Sequence, residues 1–193
     1  MSRSRRDRIV AGLDGRSIVL LGMMGCGKSA IGKLIAKRLR LPFHDADEEI
    51  EVAADRSVAD IFQEYGEHEF RRLEARVIER VLEEGPVLLS LGGGAFMTKE
   101  VRESVAKNAV SLWLDVDLDI LVERVGRKPG KRPLLQNGDP KEILSRLLEQ
   151  RSPVYAKADL RVRSSGVSKS VMRDSVLKRL DKFLQKTAKR ENA

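Results

Sequence analysis

Cysteine is nearly absent from this chain. Cys26 is the sole thiol, so no internal disulfide framework braces the fold, and the composition fits a reducing compartment. Histidine is as scarce. His44 and His68 have no second His or Cys at ligand spacing, which speaks against a zinc centre. Five Phe, two Tyr and one Trp are too few for a base-stacking platform, so a net charge of +8 does not by itself mark a nucleic-acid reader. Much of the basic excess sits near the ends, at Arg3, Arg5, Arg6 and Arg8 and at Lys178, Arg179, Lys182, Lys186, Lys189 and Arg190. These read as solvated tails, the other use of such charge being a cleft that attracts anionic ligands. No apolar run approaches the length of a membrane span. The first arginines are not followed by the apolar segment of a secretory leader. A cytoplasmic monomer with no membrane and no nucleic-acid partner is expected. The 193 residues suit one domain with a sizeable core.

What is present is organised around residues 22–29, Gly-Met-Met-Gly-Cys-Gly-Lys-Ser. They fit the phosphate-binding P-loop, a glycine, four variable positions, then Gly-Lys-Ser/Thr. Ile18-Val19-Leu20-Leu21 before them reads as a buried parallel strand. Ile31, Leu34, Ile35 and Leu39 after them lie on one helix face. The loop therefore opens a helix, where outward N–H groups and the helix dipole favour an anion. Gly25, Cys26, Gly27, Lys28, Ser29 and Ala30 are the candidate nucleotide contacts. Lys28 adds a charge for β- and γ-oxygens, and the Ser29 hydroxyl is a hard ligand suited to Mg²⁺. The pattern says that a nucleoside triphosphate binds, not which acceptor it serves.

Along the chain, strands alternate with helices. A strand at 41–44 ends in Asp45-Ala46-Asp47, and Asp47-Glu48-Glu49 opens a helix. Ser57 caps a short helix through Tyr65, Gly66 interrupts, and a longer helix carries Phe70, Leu73, Val77, Ile78, Val81 and Leu82 on one face. Residues 87–91 form a central strand running into Gly92-Gly93-Gly94. A helix over 99–107, a strand over 110–114 and a helix from Asp117 or Asp119 to about Gly126 follow. Residues 127–133 are basic, rich in Pro and Gly and without periodicity. Asp139-Pro140 starts a helix through Gln150, residues 160–163 form a last strand, and Ser168 starts a terminal helix. This alternation predicts an α/β three-layer sandwich on a mainly parallel sheet. Ligands in such folds bind beyond the carboxyl ends of the strands. The P-loop, Asp45 and Asp47, and Gly92–Gly94 each follow a strand directly.

Asp45 and Asp47 are two residues apart and point the same way if extended. One suits a Mg²⁺ held through water and the other a proton from an acceptor hydroxyl; an acidic helix start is the plainer reading. The glycine run permits close approach of backbone to a ligand, or is only a flexible loop. Arg71 flanks the buried face of its helix with Glu74 three residues on, either a structural pair or a guanidinium held ready for a carboxylate. Arg132 lies in the basic stretch, where an arginine can close over a phosphate, and Arg151 ends its helix before Ser152-Pro153.

Taken in order, GMMGCGKS at 22–29, DAD at 45–47, GEHEFRRLE at 66–74, LGGGA at 91–95, RPLL at 132–135 and RSPVYAKAD at 151–159 resemble the shikimate kinases, over roughly residues 16–163. The resemblance implies a five-stranded parallel sheet of P-loop kinase type. One domain would span 12–186, with an acceptor region at about 45–80, a lid at about 126–139, and basic tails at 1–11 and 187–193. It also implies transfer of the ATP γ-phosphoryl group to the 3-hydroxyl of shikimate, on the route to chorismate and the aromatic amino acids. By the same resemblance Lys28, Asp47 and Arg132 would be catalytic. Ser29 would bind Mg²⁺, with Asp45 behind it. Arg124 and Arg132 would contact the nucleotide. Asp47, Arg71, Gly92, Gly93, Gly94 and Arg151 would hold shikimate, with Glu74 orienting Arg71. Ala30 departs from the family, where a hydroxyl residue commonly follows Ser29. A kinase of this fold acting on aminoshikimate, gluconate or a nucleoside monophosphate is one alternative, and a nucleotide-gated binding protein is another.

Overall fold

The structure, a computed structural model, describes residues 4–127, 138–164 and 166–191. Five strands form one parallel sheet in the order β2-β3-β1-β4-β5. They are β1 (Ser17–Leu21), β2 (Phe43–Asp45), β3 (Leu88–Ser90), β4 (Ala109–Val116) and β5 (Leu160–Ser164). The helices are α1 (Arg5–Leu13), α2 (Lys28–Leu39), α3 (Ala46–Ala54), α4 (Val58–Glu83), α5 (Lys99–Asn108), α6 (Leu118–Gly126), α7 (Pro140–Tyr155) and α8 (Lys169–Glu191). A strand covered on both faces must be apolar at every position, not at alternate ones. β1 meets that demand from Ile18 to Leu21, with Ile18, Val19 and Leu20 wholly buried, and it takes the centre of the sheet.

Register positions the site. Leu20 is level with Ser90 on the neighbouring strand, and Ser90 is level with Asp45 on the next. The segments after β1, β2 and β3 therefore leave the sheet at one height, and what they carry converges. Ser57 caps α4 as its residue type predicts, its hydroxyl accepting from the Asp60 N–H at 3.1 Å. The break expected at Gly66 is there too, with φ 77° and ψ 174° inside an otherwise helical run.

Both ends and one helix depart from the sequence reading. The basic start, expected as a tail, forms α1 between Ser4 and Leu13 and packs against α8. Ile9 and Leu13 are buried, Arg6 Nε caps α2 by donating to the Leu39 carbonyl at 3.2 Å, and Arg8 Nη2 reaches Asp181 at 2.6 Å. The far end, also expected as a tail from 187, continues α8 to Glu191. Ile9→Ala is expected to destabilise the protein by about 2–5 kcal/mol in urea unfolding, as for a buried core truncation; a loss below about 0.5 kcal/mol would contradict the place of α1 in the core.

The helix that departs is α7. It does not stop at Gln150 or Arg151 but runs through Pro153 to Tyr155. An interior proline costs a helix about 3 kcal/mol. Pro153 sits in the last turn, and burial of Tyr155, 1% exposed, offsets that cost by about 1.5–3 kcal/mol before its hydrogen bond is counted.

Candidate active site

The P-loop bends from β1 into α2 with Gly25 at φ 80° and Gly27 at φ 97°, left-handed values that a residue with a Cβ adopts only under strain. Lys28 Nζ lies inside the loop, donating to the carbonyls of Gly22 at 2.9 Å and Met23 at 3.2 Å. Cys26 is buried, its Sγ 3.9 Å from Lys28 Nζ. Arg124, from α6, reaches back across 98 residues to the Cys26 carbonyl at 3.3 Å.

Ser29 and Asp45 meet. The Ser29 hydroxyl donates to Asp45 Oδ2 at 2.6 Å, so the two candidate metal-side residues share one spot at the mouth of the loop. A hydroxyl beside a carboxylate is the hard oxygen set that Mg²⁺ takes when waters and phosphate oxygens complete its octahedron. No group of three or more His, Cys, Asp or Glu gathers as a metal cage among the described residues.

Asp47 does not share an extended segment with Asp45. Asp45 ends β2 and caps α3, its Oδ1 accepting from the Asp47 N–H at 3.3 Å, and Asp47 is already helical. Both still face the cleft. Burial pushes the Asp47 carboxyl above the usual range, the Asp45 charge adds to that, and Lys28 works against both.

The glycine run is where distant groups come together. A Cβ on Gly92 would lie 3.0 Å from both Asp47 Oδ1 and Glu74 Oε1. One on Gly93 would lie 3.2 Å from Arg151 Nη1, and one on Gly94 would lie 2.8 Å from the Arg71 guanidinium carbon. The triplet is a strip of bare backbone threaded between four polar side chains. A side chain at any of the three would displace one of these groups, most of all at Gly94.

Arg71 is held from several sides. Nη1 pairs with Glu74 Oε2 at 2.6 Å, Nη2 with Glu67 Oε1 at 3.1 Å, and the guanidinium carbon stands 5.2 Å from the centre of the Phe70 ring. Glu74 is 1% exposed, and its Oε1 has no hydrogen-bond partner among the described residues. Burial pushes this carboxyl up and Arg71 opposes the shift. A buried oxygen left unpaired costs about 1–3 kcal/mol, so its retention points to a use. Arg151, 8% exposed, donates from Nη1 to the Gly93 carbonyl at 2.8 Å.

A cleft of about 700 Å³ runs beside these groups. The P-loop, Asp45, Asp47, Gly92, Gly93 and Arg124 line it, and the start of α8 closes its far end through Lys169 and Met172. Arg71 and Arg151 are not among its lining residues: Arg151 bonds the Gly93 carbonyl and Arg71 stands against Gly94. Arg132 lies outside the described residues. Tyr155 was not singled out by its residue type, yet its hydroxyl also donates to the Gly93 carbonyl. Its spacing, one helical turn after Arg151 on the same face, was the available signal.

A P-loop beside an acid and a caged arginine, at the carboxyl ends of a parallel sheet, defines a P-loop kinase that works on a small acceptor. The comparisons narrow the class. Residues 24–183 match the family described as Shikimate kinase. A shikimate kinase of Bartonella henselae is 45% identical over 179 residues, covering 93% of this chain and 85% of its own. One of Rhizobium leguminosarum bv. trifolii is 47% identical over 175 residues, covering 91% and 89%. Among solved structures, shikimate kinase from Acinetobacter baumannii in complex with shikimate superposes with a TM-score of 0.82 at 29% identity, over 88% of this chain and 95% of that one. The chain belongs to the shikimate kinase family. The match runs past the last motif, through β5 and into α8, whose first residues wall the cleft.

Proposed function

We propose that this protein transfers the γ-phosphoryl group of ATP to the 3-hydroxyl of shikimate, giving shikimate 3-phosphate and ADP on the route to chorismate and the aromatic amino acids. The observation that carries the reading is the convergence of Asp47, Arg71 and Arg151 on Gly92–Gly94, beside the P-loop. Two arginines around one strip of backbone suit a carboxylate, and an aspartate beside them suits neighbouring hydroxyls. Membership of the family supports it.

The P-loop amides from Gly25 to Ala30 and Lys28 hold the phosphates, and Arg124 supports the loop at Cys26. Ser29, with Asp45 behind it, would hold the magnesium ion that accompanies ATP, and the ion would supply charge neutralisation at the phosphates. Asp47 accepts the proton of the acceptor hydroxyl as its oxygen forms the new bond to phosphorus and the bond to the ADP oxygen breaks. Arg71, oriented by Glu74, and Arg151 grip the carboxylate, while the triplet offers backbone N–H groups. Arg132 serves as the arginine of a lid at about 126–139, and residues 45–80 form the acceptor region of a domain spanning 12–186. The protein is taken to be cytoplasmic and monomeric, with no nucleic-acid or membrane partner; among the described residues no helix is long and apolar enough to cross a membrane.

An ADP-release assay over a panel of shikimate, aminoshikimate, gluconate and a nucleoside monophosphate tests the acceptor. Shikimate should exceed every other acceptor in kcat/KM, and the nucleoside monophosphate, which lacks a carboxylate for the two arginines, by at least about two decades, since charged partners left unpaired reject a ligand lacking them. Comparable turnover with gluconate would overturn the assignment. Arg71 acts on a charge present equally in ground and transition states. Arg71→Ala should therefore raise the shikimate KM by roughly one to two decades, with a smaller change in kcat.

A further inference from the structure

We propose that Tyr155 is a positioning residue of the acceptor side, acting through its hydroxyl on the peptide that joins Gly93 to Gly94. The inference rests on the reading of that triplet as part of the acceptor site. The Gly93 carbonyl has two lone pairs, and two groups from one face of α7 use them: Arg151 Nη1 at 2.8 Å and the Tyr155 hydroxyl. Every described peptide is trans, and in a planar trans peptide the N–H points opposite to the carbonyl. Holding the Gly93 carbonyl therefore sets the direction of the Gly94 N–H. That N–H makes no backbone hydrogen bond among the described residues; Gly94 itself is buried, while Gly92 and Gly93, whose path the same peptide fixes, line the cleft. Three successive glycines have more backbone freedom to lose than any other triplet. Two anchors on one oxygen remove much of it before the acceptor arrives.

Tyr155 is itself firmly held. It is 1% exposed, and burial pushes its hydroxyl up to about 12, which keeps it a neutral donor throughout the physiological range. Its ring lies 5.9 Å from that of Trp113 on β4, tilted by 54°, and Arg161 covers Trp113 at 4.5 Å. Four residues further on, Asp159 clasps β4. Its Oδ2 accepts from the Ser111 N–H at 2.8 Å and the Ser111 hydroxyl at 2.7 Å, and its own N–H donates to that hydroxyl at 2.9 Å. Ser111 is level with Val19 of β1, the strand that feeds the P-loop. The tyrosine thus references the acceptor's glycines to the same central strands that carry the phosphate loop.

The test is Tyr155→Phe, which keeps the ring and removes one hydrogen bond. The shikimate KM should rise roughly 5- to 10-fold, as for a neutral hydrogen bond lost from ground and transition states alike. kcat should stay within about twofold, and ATP affinity without shikimate should not change. Amide hydrogen exchange over residues 93–95 should quicken even in the ligand-free protein. A tyrosine that only fills the core would lower thermal stability and weaken both substrates alike. An unchanged shikimate KM, or an equal loss of ATP affinity, overturns the proposal. If the wild-type protein does not phosphorylate shikimate, the functional reading fails instead, and the exchange measurement alone decides whether Tyr155 orders the triplet.

Discussion

Replacing Lys28 with methionine is expected to lower kcat by two to three decades while the protein stays folded. The ammonium group faces charge that redistributes over the transferred phosphoryl group. One preorganised charge at such a place contributes about 3–4 kcal/mol, at about 1.4 kcal/mol per decade. Methionine keeps most of the length and apolar bulk of the lysine stem, so the P-loop loses little packing. It does lose the two bonds that Lys28 makes to the Gly22 and Met23 carbonyls. These are partly exposed contacts, and their loss should register as a small fall in melting temperature. Retention of more than about a tenth of wild-type kcat would contradict the role assigned to Lys28.

Asp47→Asn should produce an opposite pair of effects. Turnover with shikimate is expected to fall by about two to four decades, because asparagine keeps the shape but neither carries the charge nor accepts the proton. Stability of the metal-free protein at neutral pH should rise. Burial and the neighbouring Asp45 hold the Asp47 carboxyl above its ordinary value in the folded state. A carboxyl raised on folding contributes stability that is fully present below its unfolded pKa and is lost as pH rises through the folded pKa. At neutral pH the ionised Asp47 therefore works against the fold, and the neutral amide does not. The gain should vanish as pH falls below about 4, where the wild-type carboxyl is protonated too. Urea unfolding of both proteins in a chelator, at neutral and acid pH, checks the sign. An Asp47→Asn protein that is active and no more stable would mean that Asp47 is only an acidic helix start.

Much of this site can be read from local pattern because its parts leave adjacent strands at one height. The P-loop declares itself by spacing, and β1 by an apolar run that only a twice-covered strand tolerates. The turn at Gly66 and the cap at Ser57 depend on one residue each, and each residue type is specific for its job. α1 was not legible, since four arginines dominate its surroundings and only Ile9 and Leu13 face inward. Pro153 concealed the end of α7, because the local rule for proline omits the burial of Tyr155 two residues later. Asp47 departs from the extended segment that its spacing from Asp45 suggests. It faces the cleft from the first turn of α3, not from an extended segment.

The least legible feature was the meeting of Arg71, Arg151 and Gly92–Gly94. Arg151 and Gly93 are 58 residues apart, and no periodicity connects them. Their pairing follows from sheet order, which depends on how helices pack between strands. At the sequence level only the resemblance to shikimate kinases joined them. The structure supplies the physical content, a glycine strip flanked so closely that a Cβ would press on Asp47, Glu74, Arg151 or Arg71.

The most direct test of the central claim is Mg·ATP turnover by the wild-type protein, measured with and without shikimate. ADP formation should depend on shikimate and match shikimate 3-phosphate one for one. ADP formation indifferent to shikimate, or normal ATP binding with no turnover when shikimate is present, would contradict it.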